Sequence, residues 1–363
     1  MSRLERPEQP PALPPSDFPR CGVLLAQLGT PDAPEPSAVR RYLAEFLSDP
    51  RVVEIPAVLW QPVLRGVILP FRPARSARKY RQIWTDQGSP LLVNTRLQAS
   101  LLRGLLGEQG FDVEVAFAMR YGTPSIPSVL RTMRESGVGR LLLLPMYPQY
   151  SGTTTATACD AVFAELARWR DQPEVRTIRS FPDDAACIDA LAARIEGRWM
   201  AEGRPGHLLM SFHGLPERAV RLGDPYRREA ELTAGLLARR LGLADGEWSL
   251  AFQSRFGRAK WLEPATDASL VALARRGVTE VDVTCPGFVA DCLETLEEIA
   301  IEGRDSFLAA GGRRLRYLDC PNGDPGFVRA LASLVALHLA GWPCRRPDEA
   351  AVGAASRSGA PAA

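Results

Sequence analysis

Short apolar runs alternate with longer stretches of helical periodicity along most of the chain. The runs are rich in Val, Leu and Ile and are bounded by turn-forming residues, which is typical of strands buried on both faces of a sheet. They predict strands at residues 21–28, 113–118, 141–145, 175–180, 207–212, 249–252, 280–284 and 314–318. The stretches between them predict helices at about residues 37–47, 93–106, 125–136, 156–169, 185–200, 225–241, 265–275 and 326–340. This alternation predicts an α/β fold of parallel sheets with helices on both faces, in two similar halves.

The composition is that of an ordinary globular chain. A length of 363 residues suggests two domains, and 46% apolar residues are enough for their cores. A net charge of +2 gives no reason to expect nucleic acid or a bulk anionic membrane as a partner. The leader at residues 1–20, rich in proline and charge, and the tail at residues 346–363, small and polar, are expected to be disordered.

Targeting and redox signals point to the cytoplasm. The sequence contains no run of about 18 apolar residues that would span a membrane, and its first residues lack the apolar core of a signal peptide. The seven cysteines are scattered and form no C-x-x-C pair, which argues against a disulfide framework or a zinc knuckle. We therefore expect cysteines such as Cys159, Cys187 and Cys320 to be buried as small apolar residues.

The first candidate site residue is a histidine at the end of a predicted strand. Residues 207–216 read HLLMSFHGLP, so that His213 is followed by Gly214, which allows a turn, and by Pro216, which prevents immediate helix formation. Ligands of open α/β sheets bind at the carboxyl ends of strands, which places His213 in a cleft. A capping histidine that bonds its own loop would show the same pattern, and this segment alone supports both interpretations equally.

The second candidate is a row of carboxylates. Residues 291–302, DCLETLEEIAIE, predict one helix that begins just after a strand. At about 100° per residue, Asp291, Glu294, Glu298 and Glu302 share one face, and apolar residues occupy the other. No Lys or Arg within this helix offsets their charge. A solvated helix face is the ordinary explanation, whereas an uncompensated row also suits a divalent cation or acid/base chemistry.

The third candidate is a lip at residues 56–90. An apolar segment, interrupted by Pro62 and Pro70, leads into a basic one with five Lys and Arg residues between positions 72 and 81. Such a lip suits a membrane surface or an anionic, apolar ligand. The alternative is a solvated basic helix, which composition alone favours. Because the sequence has neither a strand-linked G-x-G-x-x-G nor a G-x-x-x-x-G-K-[ST], a nucleotide-dependent enzyme is disfavoured.

Taken together, these segments resemble the ferrochelatase family. The resemblance covers about residues 21–341 and is specific because eight blocks occur in one order. They are LGTPD at 28–32, GSPL at 88–91, MRYG at 119–122, YPQYS at 147–151, SFHGLP at 211–216, FQSRFG at 252–257 followed by Trp261, TCPGF at 284–288 and DCLETLEEI at 291–299.

The resemblance implies a fold and an activity. It implies two Rossmann-like, chelatase-type domains, at residues 21–173 and 174–323, with a porphyrin cleft between them. A final helix at residues 324–341 is expected to pack back on the first domain. The implied activity is that of a lyase in the last step of haem synthesis, which inserts Fe²⁺ into protoporphyrin IX and releases two protons. Coproporphyrin as the substrate, or a protein that binds haem or porphyrin without catalysis, are the alternatives.

The resemblance also implies roles for individual residues. His213 corresponds to a cleft histidine, either a metal ligand or a base for the pyrrole protons, and Glu294 to the carboxylate that faces it. The remaining positions are an acidic path at Asp291, Glu298 and Glu302, a propionate lip at Arg72, Tyr80 and Ser89, an opposite wall at Arg120 and Tyr121, and pocket aromatics at Tyr147, Trp261 and Phe288. A flat apolar disc with two carboxylates needs aromatic walls and a cationic donor, which these residue types provide.

Two positions depart from some relatives. Leu28 stands where these have Tyr or Met and cannot ligate iron. Gly152 stands where a cluster-binding relative has Cys, and only Cys344 remains after Cys320, so no [2Fe–2S] cluster and no permanently bound cofactor is expected. The expected partners are protoporphyrin IX and Fe²⁺ as substrates of a monomer or homodimer. Peripheral contact with the inner face of the membrane, through the lip, stays open.

Overall fold

Two four-stranded sheets form the frame of the molecule. The structure is a computed structural model and describes residues 19–257 and 259–345. The two segments expected to be disordered, residues 1–20 and 346–363, lie outside this part except for Pro19 and Arg20. The first sheet contains β1 Arg20–Gly29, β2 Val113–Tyr121, β3 Val138–Pro145 and β4 Glu174–Thr177, and the second contains β5 His207–His213, β6 Trp248–Gln253, β7 Glu280–Thr284 and β8 Arg314–Leu318.

The two sheets have the same topology. Their strand orders are β2-β1-β3-β4 and β6-β5-β7-β8, and all these pairs are parallel. The order reverses at β1 in one sheet and at β5 in the other, so the switch points lie at the carboxyl ends of these central strands. The prediction of two parallel α/β domains is confirmed.

Helices cover the sheets and form the lip. They are α1 Pro36–Ser48, α2 Ala57–Val63, α3 Leu69–Ile83, α4 Pro90–Glu108, α5 Ile126–Glu135, α6 Thr157–Leu166, α7 Ala185–Glu202, α8 Glu217–Arg221, α9 Tyr226–Arg240, α10 Thr266–Arg275, α11 Leu293–Leu296, α12 Arg304–Ala309 and α13 Pro325–Leu339. Three π-helical segments, Leu64–Ile68, Gly152–Ala156 and Glu298–Gly303, lie directly before α3, α6 and α12. The lip is therefore helical from α2 to α3, and the prolines that were expected to interrupt it lie inside these helices.

The central strands β1 and β5 are mostly apolar because both faces of each sheet are buried. Along β1, Val23 and Leu25 join the cluster that includes α4 and α13, whereas Leu24 and Ala26 join the cluster formed with α5 and α6. Successive side chains of a strand point to opposite faces, so an uninterrupted apolar run fills two cores at once. β5 alternates between two clusters in the same way.

The first sheet extends further along the chain than predicted. β4 pairs with β3, for example Val175 with Leu141, so residues 174–177 complete the first sheet. The second domain therefore begins after β4 and not at residue 174. The final helix returns to the first domain, where Val335 of α13 lies in one cluster with Leu102 of α4.

One cysteine pair departs from the expectation. A disulfide joins Cys21 in β1 to Cys344 beyond α13. The spacing of the cysteines did not reveal this disulfide, because the two residues are 323 positions apart in sequence. Among the other cysteines, Cys187 and Cys320 are buried as predicted, whereas Cys159 is partly exposed.

Candidate active site

A cavity opens at the carboxyl ends of the strands, between the two domains. Its free space, counted out to the open mouth, is about 1230 Å³. Apolar and aromatic side chains form most of its wall, and the first domain contributes neutral residues such as Thr30 after β1. In the lining formed by the described residues, Glu294 is the one carboxylate and His213 the one imidazole. Both come from the second domain.

His213 is the last residue of β5, which places it in the cavity lining. Its Nδ1 lies 2.7 Å from the carbonyl oxygen of Gly214. Because a carbonyl only accepts, Nδ1–H donates, and Nε2 of the neutral ring keeps its lone pair for a metal ion or a proton. A larger residue than glycine cannot follow His213, since a Cβ on Gly214 would lie 2.5 Å from the carbonyl oxygen of Gln253.

Glu294 begins a row of carboxylates that leads out of the cavity. The helix predicted from residue 291 begins at Leu293 as α11 and becomes π-helical at Glu298. Glu294 lines the cavity, whereas Glu298 and Glu302 line a neighbouring recess at the surface. Burial, and after it the charge of Glu294, raises the pKa of Glu298, although a hydrogen bond from Ser254 acts in the opposite direction. The row thus connects the protein surface with the cavity.

Asp291 does not belong to this row. It precedes the first helical residue, so helical spacing does not apply to it. One of its oxygens accepts from the Tyr317 hydroxyl at 2.5 Å and the other from Asn322 Nδ2 at 2.6 Å. The side chain is buried and anchors the loop between β7 and α11.

The cavity walls contain most of the residues that the resemblance implied for porphyrin contact. Those in the lining are Tyr80, Ser89, Tyr147, Trp261 and Phe288. The ring centre of Phe288 is 6.4 Å from that of His213. The Tyr147 hydroxyl is buried without a hydrogen-bond partner among the described residues, and burial raises its pKa. It is a donor left over for a ligand.

Comparison with known proteins identifies the family. The ferrochelatase family model matches residues 20–339. A ferrochelatase of Polaromonas sp. strain JS666 is 53% identical over 349 residues, which cover 96% of this chain and 95% of that protein. A ferrochelatase of Bordetella pertussis is 53% identical over 340 residues, which cover 94% and 93%. The chain belongs to the ferrochelatase family.

Solved structures agree with the fold expected of a ferrochelatase. The sirohydrochlorin chelatase SirB from Bacillus subtilis subspecies spizizenii, in complex with cobalt, has a TM-score of 0.52 at 11% identity and covers 90% of this chain and 99% of that one. SirB from Bacillus subtilis with Fe³⁺ has a TM-score of 0.51 at 12% identity and covers 88% and 96%. At such identity the likeness shows the fold alone, which is the chelatase-type pair of Rossmann-like domains.

Arg72, which the ferrochelatase resemblance places at the propionate lip, lies beside the cavity and not in its lining. Its guanidinium carbon is 5.5 Å from the ring centre of Phe256, which does line the cavity. Burial lowers the pKa of Arg72, while the charges of Tyr80 and Glu294 act in the opposite direction. Arg72 therefore places a cation at the cavity mouth.

Arg120 and Tyr121, expected on the opposite wall of a ferrochelatase cleft, do not line the cavity. Tyr121 is fully buried, and its hydroxyl donates to Asp49 Oδ2 at 2.8 Å. Arg120 pairs with the same oxygen and donates to Thr157 Oγ1 at 2.7 Å. Burial alone would raise the pKa of Asp49, but hydrogen bonds from the Thr157 hydroxyl, the Arg51 backbone N–H and the Tyr121 hydroxyl, together with the Arg120 charge, lower it. The end of β2 thus serves a buried polar network against α1 and α6.

The carboxylate row has a counter-charge that the sequence did not reveal. Lys79 Nζ, on α3, lies 2.8 Å from Glu297 Oε2 and 2.8 Å from Glu302 Oε1. The prediction of an uncompensated row considered only residues on the same helix, whereas this partner is 218 positions away from Glu297 in sequence. Burial raises the pKa of Glu297, and Lys79 acts against that shift.

The described part of the chain contains no group of three or more His, Cys, Asp or Glu side chains arranged to hold a resident metal ion. The expected absence of an iron–sulfur cluster stays a prediction.

Proposed function

We propose that this ferrochelatase inserts Fe²⁺ into protoporphyrin IX with release of two protons, in the last step of haem synthesis. The observation that carries the proposal is that one imidazole and one carboxylate line the same apolar, aromatic-walled cavity. A porphyrin is a flat apolar disc with carboxylates on one edge, so it needs such walls and few charges.

The reaction requires a metal ligand and a proton acceptor, and His213 and Glu294 can each serve as either. Fe²⁺ replaces the two pyrrole N–H protons, so one group must deliver the metal ion and another must accept protons. A neutral imidazole with a free Nε2 and a carboxylate can each act as a ligand or as a base near neutral pH. Glu298 and Glu302 continue from Glu294 towards the surface, which supports metal entry from that side.

The charge of the cavity supports protoporphyrin over coproporphyrin. Protoporphyrin carries two propionates and coproporphyrin four. The described part of the lining contains no Lys or Arg, and Arg72 lies at the mouth. We place the two propionates next to Arg72, the cation beside the cavity. Two more would lie against residues such as Leu91 and Met146, where burial of an unpaired carboxylate is strongly unfavourable.

Anaerobic incubation of the purified full chain with Fe²⁺ or Zn²⁺ and porphyrin, followed by absorbance, tests both statements. We expect metalloporphyrin to form over many turnovers, with kcat/KM at least about tenfold higher for protoporphyrin than for coproporphyrin. A tight porphyrin complex without metal insertion would support the non-catalytic alternative instead. Equal or faster turnover of coproporphyrin would overturn the substrate assignment.

We also propose that the protein is located in the cytoplasm and that its lip makes a peripheral contact with a membrane. Val58 and Phe71 are 78% and 75% exposed, and Arg65 and Arg75 in the same lip are exposed as well. Apolar residues flanked by arginines suit the boundary between acyl chains and headgroups. No helix in the described ranges has both the length and the apolarity to cross a bilayer. The wild type is expected to float with anionic vesicles, and the double variant Val58→Ser/Phe71→Ser is not. Equal flotation of the two proteins would contradict this contact.

A further inference from the structure

The lip and the carboxylate row meet at one lysine. Lys79 and Lys260 are the only lysines in a chain with 44 basic residues. The ammonium group of Lys79 lies between Glu297, whose side chain is 3% exposed, and Glu302, which is 54% exposed. Lys79 therefore neutralises the outermost member of the row and a buried carboxylate next to it.

Other cations near the row have different partners. Lys260 and Arg255 line the same surface recess as Glu298 and Glu302. Lys260 pairs with Glu217 at 3.1 Å and Arg255 with Asp267 at 3.1 Å, and neither carboxylate belongs to the row. Among the described residues, Lys79 is therefore the cation in direct contact with the row's outer end.

A divalent cation that enters along the row first meets Glu302. Carboxylate oxygens are the ligands that such ions prefer, but here an ammonium group already holds one of them. An ammonium group and a metal ion repel each other and compete for the same oxygens. Lysine suits a site that must be vacated, because its compact charge sits on a flexible stem, whereas arginine would hold both carboxylates in a fixed fork.

We propose that Lys79 is a built-in competitor for the divalent metal substrate at the outer end of the row, so that the metal ion is admitted only when the lysine releases Glu302. The inference rests on the proposed function in taking the row as the route of the metal. Lys79 is adjacent to Tyr80 of the cavity wall, and Leu293 and Leu296 pack against the apolar cluster formed by α1 and α3. Release of Glu302 therefore also removes an ionic contact between the lip and the row.

Direct titration of the porphyrin-free full chain with Mn²⁺, followed by calorimetry, tests the competition. Mn²⁺ suits oxygen ligands better than thiols. We expect Lys79→Met to bind Mn²⁺ roughly three- to tenfold more tightly than the wild type, because a positive charge next to the ion is removed. Lys79→Arg keeps the charge and is expected to show no such gain. Adding Glu302→Gln to Lys79→Met should abolish the gain.

Lys260→Met is the matched control, since it removes the same charge from the same recess without touching the row. We expect at most about a twofold change for it. In steady state, Lys79→Met should lower the KM for the metal and leave the KM for porphyrin unchanged. If Glu297 without its partner prevents folding, Lys79→Met/Glu297→Gln gives the same comparison.

Three results would overturn the proposal. The first is equal Mn²⁺ affinity of Lys79→Met and the wild type, including no binding by either, and the second is an equal gain in Lys260→Met. The third is a loss of stability and of porphyrin affinity in Lys79→Met with unchanged metal affinity. The last result would make Lys79 a structural tie only. Failure of the wild type to insert metal would count against the proposed function and would leave the Mn²⁺ comparison valid.

Discussion

Asp49 in the first domain and Glu298 in the second are both withdrawn from water, yet their surroundings shift their acidity in opposite directions. Arg120, Tyr121 and Thr157 stabilise the charged form of Asp49 and lower its pKa. Burial, and after it the charge of Glu294, raises the pKa of Glu298. A carboxylate that stays charged holds structure, whereas one that tends to take up a proton next to a cavity is suited to chemistry.

The same division appears at the ends of the two central strands. β1 ends in Gly29 and is followed by Thr30, whereas β5 ends in His213, although both strands hold the central position in sheets of identical order. Two similar scaffolds thus present a neutral edge on one side of the cavity and ionisable groups on the other. Both domains contribute aromatic wall residues, so the difference between them lies in the ionisable groups, to which the proposed function assigns metal insertion.

The largest expected effect is loss of activity on changing the second domain's groups. His213→Ala and Glu294→Gln should each lower kcat/KM for metal insertion by at least about a hundredfold, since each removes a ligand or proton acceptor from the cavity. Unfolding temperature, measured in parallel, should change little.

His338→Ala is the control for this prediction. His338 lies on α13 and does not line the cavity, so its loss should leave the rate of metal insertion unchanged. If both cavity variants kept wild-type rates, the division of labour between the domains would be wrong.

Much of this comparison could be read from the sequence, because its signals are local. Apolar runs between turn residues located all eight strands, and the end of one run located His213. The face of α11 located Glu294 through helical spacing. Asp291 was misassigned because periodicity does not say where the helix begins, and here it begins at Leu293.

What the sequence did not reveal depends on contacts between distant segments. Lys79 meets Glu297 across 218 positions, and Arg120 meets Asp49 across 71. No spacing rule relates such pairs, because the fold alone brings them together. For the same reason the sequence did not reveal that Arg120 and Tyr121 lie outside the described cavity lining, where their side chains bond to Thr157 and Asp49.

A smaller effect is expected from removing the disulfide that links the first sheet to the segment after α13. The Cys21–Cys344 disulfide closes a loop of 323 positions, and loop-closure arguments give about 2–5 kcal/mol for its removal. Cys344→Ser should therefore lower the free energy of unfolding in urea by roughly that amount, while metal insertion is retained. Reductant should lower the stability of the wild type and leave that of Cys344→Ser unchanged.

Cys159→Ser is the matched control, because Cys159 is free and partly exposed. It should unfold like the wild type and respond to reductant as the wild type does. A wild-type chain whose stability did not depend on reductant would contradict this contribution of the disulfide.

The smallest expected effect is on the pH dependence of stability, and its sign differs between the two carboxylates. The folded-state pKa of Asp49 lies below its unfolded value, so its contribution is present above about pH 4 and is lost as the pH falls through the folded pKa. The folded-state pKa of Glu298 lies above its unfolded value near 4.3, so the folded chain binds more protons there. Its effect is to lower stability as the pH rises from about 4.3 towards the folded pKa.

Urea unfolding of the wild type, Asp49→Asn and Glu298→Gln between about pH 3 and pH 7 measures these two effects. The deficit of Asp49→Asn relative to the wild type should shrink below about pH 4, where the wild type also loses the charge. The stability of Glu298→Gln relative to the wild type should increase above about pH 4.3, because glutamine has no proton to lose. If the free energies of unfolding of both variants, relative to the wild type, changed in the same direction with pH, the comparison would fail. There would then be no contrast between a structural carboxylate in one domain and a reactive one in the other.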